Sequence, residues 1–240
     1  MKFIIWKEKM EFYFILVEPA VPGNIGAAAR AIKIMGFRHL WLVRPCDHLD
    51  KEAIKMAHGS SDILKSAKIF DSFQQAISTI DFIIGTSAKK RTAHEEYLNC
   101  SQLPDIIIKK GKMIASTGIV FGREESGLTN EELKKCDVVT HIPMNSEYPS
   151  ANLSQAVMIY AYILSGLMFN KTVRKKELKN KEGFKELKKR ILSILEDIGI
   201  DKNPTLHDRI MERLALVNED DMHLLYSFSN KYRGKYNKNS

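Results

Sequence analysis

Near the start of the chain stands an unbroken apolar run, Phe12-Tyr13-Phe14-Ile15-Leu16-Val17. Such a run predicts a strand buried on both faces, as in a parallel sheet. Asn24 is then placed to cap a helix reaching about Met35; Ala27, Ala28, Ala29 and Ala31 favour it and Gly36 ends it. His39-Leu40-Trp41-Leu42-Val43 is the next strand, stopped by Pro45. Residues 51–58 and 60–67 predict short helices, residues 68–70 a short strand, 72–79 a helix and 81–85 a strand. Residues 101–110 predict a helix with Pro104 in its first turn. Residues 113–121 form a strand, and Thr129-Asn130-Glu131-Glu132 is a capping box. Residues 137–142 are the last strand, followed by the most apolar helix of the chain, 153–169. Strand-helix alternation of this length predicts an α/β domain whose mainly parallel sheet is flanked by helices.

Beyond residue 170 the pattern changes. Residues 171–182 form a lysine-rich linker without apolar period. Phe184, Leu187, Ile191, Ile194, Leu195 and Ile198 then recur at helical spacing. Asn203-Pro204-Thr205 breaks that helix and starts another through Leu206, Ile210, Leu214 and Val217. Asn218, followed by Glu219, Asp220 and Asp221, opens a third, with acids where the helix dipole favours them. The expected organisation is an α/β domain over 1–170, a linker, and a small all-helical domain over 183–240.

Of the 240 residues, 44% are hydrophobic and 28% charged, which suits a soluble globular protein. The three cysteines, Cys46, Cys100 and Cys136, are odd in number and far apart, so neither a disulfide framework nor a zinc site is expected and a reducing cytoplasm fits best. Lys7-Glu8 interrupts the apolar start, so no signal peptide is expected. The 153–169 run is shorter than a membrane span and holds Ser154, Gln155 and Ser165, so a buried helix is expected. The net charge is +8, and residues 171–240 carry 17 basic and 11 acidic side chains. A basic appendage on a near-neutral body suits a polyanionic partner, nucleic acid first, although a solvated lysine-rich face has the same composition.

Candidate chemistry lies in three polar or glycine-rich turns, each between an apolar strand and a helix. They are Pro22-Gly23-Asn24-Ile25-Gly26 with Arg30, Phe121-Gly122-Arg123-Glu124-Glu125-Ser126-Gly127-Leu128-Thr129, and Tyr148-Pro149-Ser150-Ala151-Asn152-Leu153. No dinucleotide fingerprint, phosphate-loop lysine, zinc-protease or serine-hydrolase motif occurs, and the histidines do not cluster at metal-ligand spacing. The glycine turn could hold an anion on free backbone N–H groups, with Arg30 as a bidentate phosphate grip. Spacing by itself leaves Arg30 open to being an exposed residue, and Glu124 to being the surface ion partner of Arg123.

Taken together, the three turns resemble the three motifs of the SPOUT superfamily of RNA methyltransferases, in its ribose 2′-O branch and the TrmJ type within it. The first is Val17-Glu18 with 22–31, the second Val120-Phe121-Gly122-Arg123-Glu124 with 127–133, the third the 148–156 stretch; Gly85-Thr86-Ser87-Ala88 with Arg91 also matches. The resemblance covers residues 12–169, more loosely the tail. It implies a deep trefoil knot, where strand alternation alone predicts an unknotted sheet. It also implies a homodimer and S-adenosylmethionine, bound at Thr86, Ser87, Ala88, Gly122, Ile142, Pro149, Ser150, Ala151 and Leu153. The reaction implied is 2′-O-methylation of a pyrimidine ribose in tRNA, at the 5′ edge of the anticodon loop. Arg30, Asn24, Glu124, Ser150 and Asn152 would be the catalytic set, with Glu124 fixing Arg30 or the loop. Arg30, Lys89, Lys90 and Arg91 would meet RNA, and the basic tail would widen the tRNA footprint. No metal or membrane is implied. Pro149 departs from the pattern, standing where relatives carry serine.

Overall fold

The computed structural model describes residues 10–89, 91–145, 151–169 and 183–236. Strand β1 (Glu11–Val17) sends Phe14 and Leu16 to one face and Ile15 and Val17 to the other, all fully buried. This is why its apolar run is continuous: helices cover both sides of the sheet. The other strands are β2 (His39–Val43), β3 (Lys68–Phe70), β4 (Phe82–Thr86), β5 (Tyr97–Asn99), β6 (Ser116–Phe121) and β7 (Val138–His141). All seven join one sheet in the order β3-β2-β1-β6-β4-β7-β5, and every pairing is parallel. The chain steps outward from β1 to β3 and then crosses to β4. β6 later inserts between β1 and β4, and β7 between β4 and β5. Strand β5 has no counterpart among the expected elements. Its three residues follow Glu95 and Glu96, and only pairing with β7 makes them a strand.

Helix α1 (Pro22–Ile34) begins three residues earlier than expected, with Val21 at the N-cap and Pro22 in the first turn. Asn24 therefore does not cap it. Gly26 sits so close to α2 (Lys51–Met56) that an added Cβ would lie 2.1 Å from the Ala53 carbonyl oxygen, so the two helix backbones touch. Two short helices follow, α3 (Ser61–Lys65) and α4 (Phe73–Ile77). Next come α5 (Leu103–Lys109), entered through a 3₁₀ turn capped by Asn99, and α6 (Asn130–Lys134), whose Thr129–Glu132 capping box forms as predicted. The apolar helix α7 (Leu153–Phe169) buries Leu153, Val157, Tyr160, Ala161 and Leu164 against the sheet and α1, while Tyr162 stays 69% exposed. Among the described residues no helix is long and apolar enough to cross a membrane.

The tail forms α8 (Phe184–Asp197), α9 (Pro204–Leu214) and α10 (Glu219–Tyr236). Its apolar residues do not make a separate core. Phe184, Leu187, Leu214, Met222 and Tyr226 join the cluster that holds Phe14 and Leu16 of the sheet. The Phe184 ring meets Phe82 edge-on at 5.7 Å. Between them lies Lys110, fully buried, its Nζ 4.3 Å from the Phe184 ring centre and 4.7 Å from that of Phe82.

Burial pushes the Lys110 ammonium down to about 8, against the pull of Asp137. Above that pH the folded state gives up a proton that the unfolded chain keeps until the ordinary lysine range. Lys110 therefore adds stability as pH rises from about 8 to about 10.4, by at most ~1.4 kcal/mol per pH unit. The Cys100 and Cys136 thiols, pushed up by burial, act in the opposite sense, so the comparison must be with Lys110→Met. Thermal melts across this range are expected to show wild type gaining on Lys110→Met as pH increases. A constant gap would refute it.

Candidate active site

Because every strand runs the same way, the C-terminal strand ends share one edge, where α/β folds place their ligands. A cavity of about 330 Å³ opens there, in the size range of small-molecule sites. The turn after β4 contributes Thr86, Ser87, Ala88, Lys89 and Arg91. The turn after β6 contributes residues 122–127, β7 is followed by Ile142 and Met144, Ala151 precedes α7, and α7 brings Leu153, Ala156 and Tyr160. Every cofactor position expected from the sequence that is described lies on this wall: Thr86, Ser87, Ala88, Gly122, Ile142, Ala151 and Leu153. Pro149, Ser150 and Lys90 lie outside the described residues. The turn after β1 does not line the cavity.

Local chemistry holds the wall in shape. Ser87 N–H donates to the Thr140 carbonyl at 3.0 Å, and Thr86 Oγ1 to Val120 O at 2.9 Å, which pins the first turn to β7 and β6. Tyr160 Oη and Thr140 Oγ1 lie 2.8 Å apart. Burial pushes the phenol up, so it stays protonated and can donate. After β6 the chain doubles back in a hairpin, with Arg123 N–H donating to Gly127 O at 3.2 Å and Gly127 N–H to Arg123 O at 2.9 Å. Gly127 takes φ +69°, and a Cβ on Gly122 would lie 2.1 Å from the Gly127 carbonyl carbon and the Leu128 nitrogen. Both positions need glycine.

Arg123 does not pair with Glu124. Its guanidinium reaches Glu18 at 2.6 Å and both oxygens of Glu132 at 3.0 and 3.1 Å. Those bonds raise its basicity further. The bonds from Arg123 and Arg44 hold the Glu18 carboxyl below its usual range. Burial pushes Glu132 up, but Arg123 and Thr129 outweigh it. Arg123 is thus the brace that ties the hairpin to the ends of β1 and α6.

Glu124 points the other way. Its carboxylate accepts the N–H groups of Ala20 at 3.1 Å and Val21 at 3.3 Å, and the Asn24 amide at 3.1 Å. The anion expected at the start of the first helix is therefore this side chain. Asn24 in turn accepts from Asn152 Nδ2 at 2.9 Å, while Asn152 Oδ1 caps Ser154 at the start of α7. One chain of hydrogen bonds, Glu124 to Asn24 to Asn152, links all three turns across more than a hundred residues.

All three turns fall within a stretch that matches a known family. The SpoU rRNA methylase model matches residues 11–162, and the C-terminal domain model of the tRNA/rRNA methyltransferase LasT matches residues 181–236. The chain belongs to the SpoU methylase family. It is 36% identical over 217 residues to the uncharacterized tRNA/rRNA methyltransferase LasT of Escherichia coli K12, covering 90% of this chain and 95% of that protein. It is 43% identical over 148 residues to the tRNA (cytidine/uridine-2′-O-)-methyltransferase TrmJ of Photorhabdus laumondii. That match takes in 62% of this chain and 61% of TrmJ, so the chain spans less than two thirds of that relative. A probable methylase of Haemophilus influenzae superposes with TM-score 0.65 at 30% identity, over 96% of this chain and all of that one. TrmJ from Z. mobilis gives 0.63 at 25% identity, over 92% and 98%. The fold is thus the SPOUT α/β arrangement with C-terminal helices.

Within this SpoU-family site, Arg30 stands apart. It is exposed on α1, does not line the cavity, and its side chain has no hydrogen bond or ion pair to the described residues. Of the two partners expected for Glu124, Arg30 or the loop, its hydrogen bonds go to the loop: it holds the turn before α1 through Ala20, Val21 and Asn24. Arg91 lines the cavity but donates to the Ser126 carbonyl, so part of its capacity holds the hairpin. Sequence reading missed Tyr160, Met144 and the bracing role of Arg123. The capping box had exposed Glu132, but nothing local showed that its carboxylate also binds Arg123.

Proposed function

We propose that the protein is an S-adenosylmethionine-dependent 2′-O-methyltransferase of tRNA, acting on a pyrimidine ribose at the 5′ edge of the anticodon loop. The observation that carries this reading is the Glu124–Asn24–Asn152 chain, which joins the three family motifs beside a cavity lined by the expected cofactor residues. That cavity suits the donor: Phe121, Ile142, Leu153 and Tyr160 would offer apolar surface to a ring, and the carboxylates of Glu124 and Glu125 in the lining would favour a cationic group. When bound, the donor supplies an electrophilic methyl group on a sulfonium.

The protein's part is to position the ribose in line and to stabilise charge as the 2′-hydroxyl loses its proton, and positioning alone is worth up to ~7–11 kcal/mol in favourable cases. The planar guanidinium of Arg30 acts by stabilising the developing alkoxide and gripping the adjoining phosphate while phosphate or water takes the proton. Asn24, Asn152 and Ser150 orient the ribose. Arg30 lies away from its own cavity, which fits a homodimer in which α1 and α7 meet a second copy. The exposed Ile34, Ile54, Met56 and Tyr162 support such a contact. A deep trefoil knot around the cofactor and a cytoplasmic location complete the reading. Exposed Lys89, with Arg91 and Lys90, would attract the RNA backbone.

A second reading has its own support. LasT, matched over 95% of its length, has a name that leaves the RNA open, so another tRNA or rRNA position is the alternative. Incubation with total RNA and labelled S-adenosylmethionine, followed by mapping, separates the two. A 2′-O-methyl pyrimidine in the anticodon loop is expected; label elsewhere on ribose favours the alternative, and label on a base refutes both. Arg30→Lys is expected to lose about tenfold or more in turnover at saturating RNA while keeping cofactor affinity. Near-normal turnover would remove the bidentate role.

A further inference from the structure

The turn between β4 and β5 is held at both ends, by different parts of the molecule. In its first half, Thr86, Ser87, Ala88, Lys89 and Arg91 line the cavity. Its second half is held by α9 of the tail. Glu212 Oε1 accepts the Glu95 N–H at 2.9 Å and lies 3.1 Å from His94 Nδ1. The other His94 nitrogen, Nε2, lies 2.9 Å from the Leu133 carbonyl at α6. Both ring nitrogens of His94 thus face oxygen acceptors, one on the tail and one at α6. Two further pairs, Arg209–Glu95 and Arg213–Glu96, join the same elements.

These contacts are unequal. Arg209 and Arg213 are more than half exposed, and exposed pairs contribute little. His94 and Glu212 are only 7% and 13% exposed, so removing the carboxylate strands a buried donor. The grip also extends inward. Just after Glu96, Tyr97 Oη accepts the Arg91 N–H at 3.1 Å, and the Arg91 guanidinium donates to Ser126 O on the hairpin that forms the opposite wall.

We propose that Glu212 is a positioning residue for the cofactor turn. The C-terminal helices, through His94, Glu95 and Arg91, hold residues 86–97 in the shape that the cavity requires. The tail thereby takes part in cofactor binding without touching the cofactor. This rests on the reading of the cavity as the S-adenosylmethionine site.

The test uses the full chain, with S-adenosylhomocysteine affinity measured by calorimetry and amide exchange followed over residues 86–97. Glu212→Ala is expected to bind about tenfold more weakly, because a turn released for part of the time lowers the binding-competent fraction, and exchange over 91–97 is expected to rise. Glu212→Gln, whose amide oxygen can still accept the Glu95 N–H, is expected to fall between, and it serves if the alanine variant does not fold. Tyr226→Phe loses a 2.7 Å bond to Gly183 O and loosens the tail elsewhere. It is expected to bind within about twofold of wild type. Unchanged affinity and exchange in Glu212→Ala would overturn the proposal, as would an equal loss in Tyr226→Phe. Failure of the wild type to bind the ligand would instead overturn the cofactor reading, and the exchange measurement would still decide whether Glu212 holds the turn.

Discussion

Glu124→Gln is expected to lower methyl transfer by about a hundredfold, with little change in melting temperature. Both carboxylate oxygens of Glu124 are in use: one accepts Ala20 N–H, the other Val21 N–H and the Asn24 amide. Glutamine keeps one acceptor oxygen and turns the other position into a donor, which then faces an N–H group. The lost bonds involve a charged acceptor, worth ~1.5–3 kcal/mol each, and ~2.7 kcal/mol is a hundredfold in rate. Little of this is paid by the fold, since the donors lie near the surface and water can replace the acceptor. The cost falls on geometry instead: Asn24 loses its anchor, and with it the link to Asn152. Single-turnover transfer from labelled S-adenosylmethionine to RNA measures the effect. Turnover within threefold of wild type would mean that the Glu124–Asn24–Asn152 chain does not organise the reaction.

The second large effect is steric. Gly122→Ala puts a methyl group 2.1 Å from the backbone of Gly127 and Leu128, where no side chain can swing aside. The hairpin must move, and relieving such overpacking costs ~1–3 kcal/mol or more. The movement takes residues 123–127 off the cavity wall and pulls Arg123 from Glu18 and Glu132. Cofactor affinity is expected to drop at least about a hundredfold, together with a clear fall in melting temperature. Gly234→Ala is the control: its Cβ would meet nothing within 4 Å, so no loss is expected. Calorimetric titration and thermal melts read both, and wild-type affinity in Gly122→Ala would show that the hairpin does not wall the cofactor site.

What the sequence determined by itself is local. Continuous apolar runs marked the buried strands, as in β1, because burial on both faces leaves no room for polar residues. The Thr129–Glu132 capping box formed because its partners are three residues apart. The apolar run of α7 was too short for a membrane span and held polar residues, so a buried helix was expected, and its boundaries came out as expected. Thr86, Ser87, Ala88, Gly122, Ile142, Ala151 and Leu153 of the lining were named from the family resemblance, which carries the outcome of the fold without its derivation.

Only the tertiary structure decided the rest. Asn24 looked like a helix cap because Asn favours that position, yet Val21 holds it and the Asn24 amide bonds Glu124 and Asn152, 100 and 128 residues away. Strand β5 exists through its pairing with β7. The tail, which its composition presented as a separate basic domain, shares the sheet's core through Phe184 and places Glu212 against the turn that lines the cavity. The physical reason is common to all of these. Propensity and periodicity record which residues are buried and which backbone angles they favour, whereas the partner of a polar side chain depends on where the chain crosses over, and the order β3-β2-β1-β6-β4-β7-β5 has no local signal.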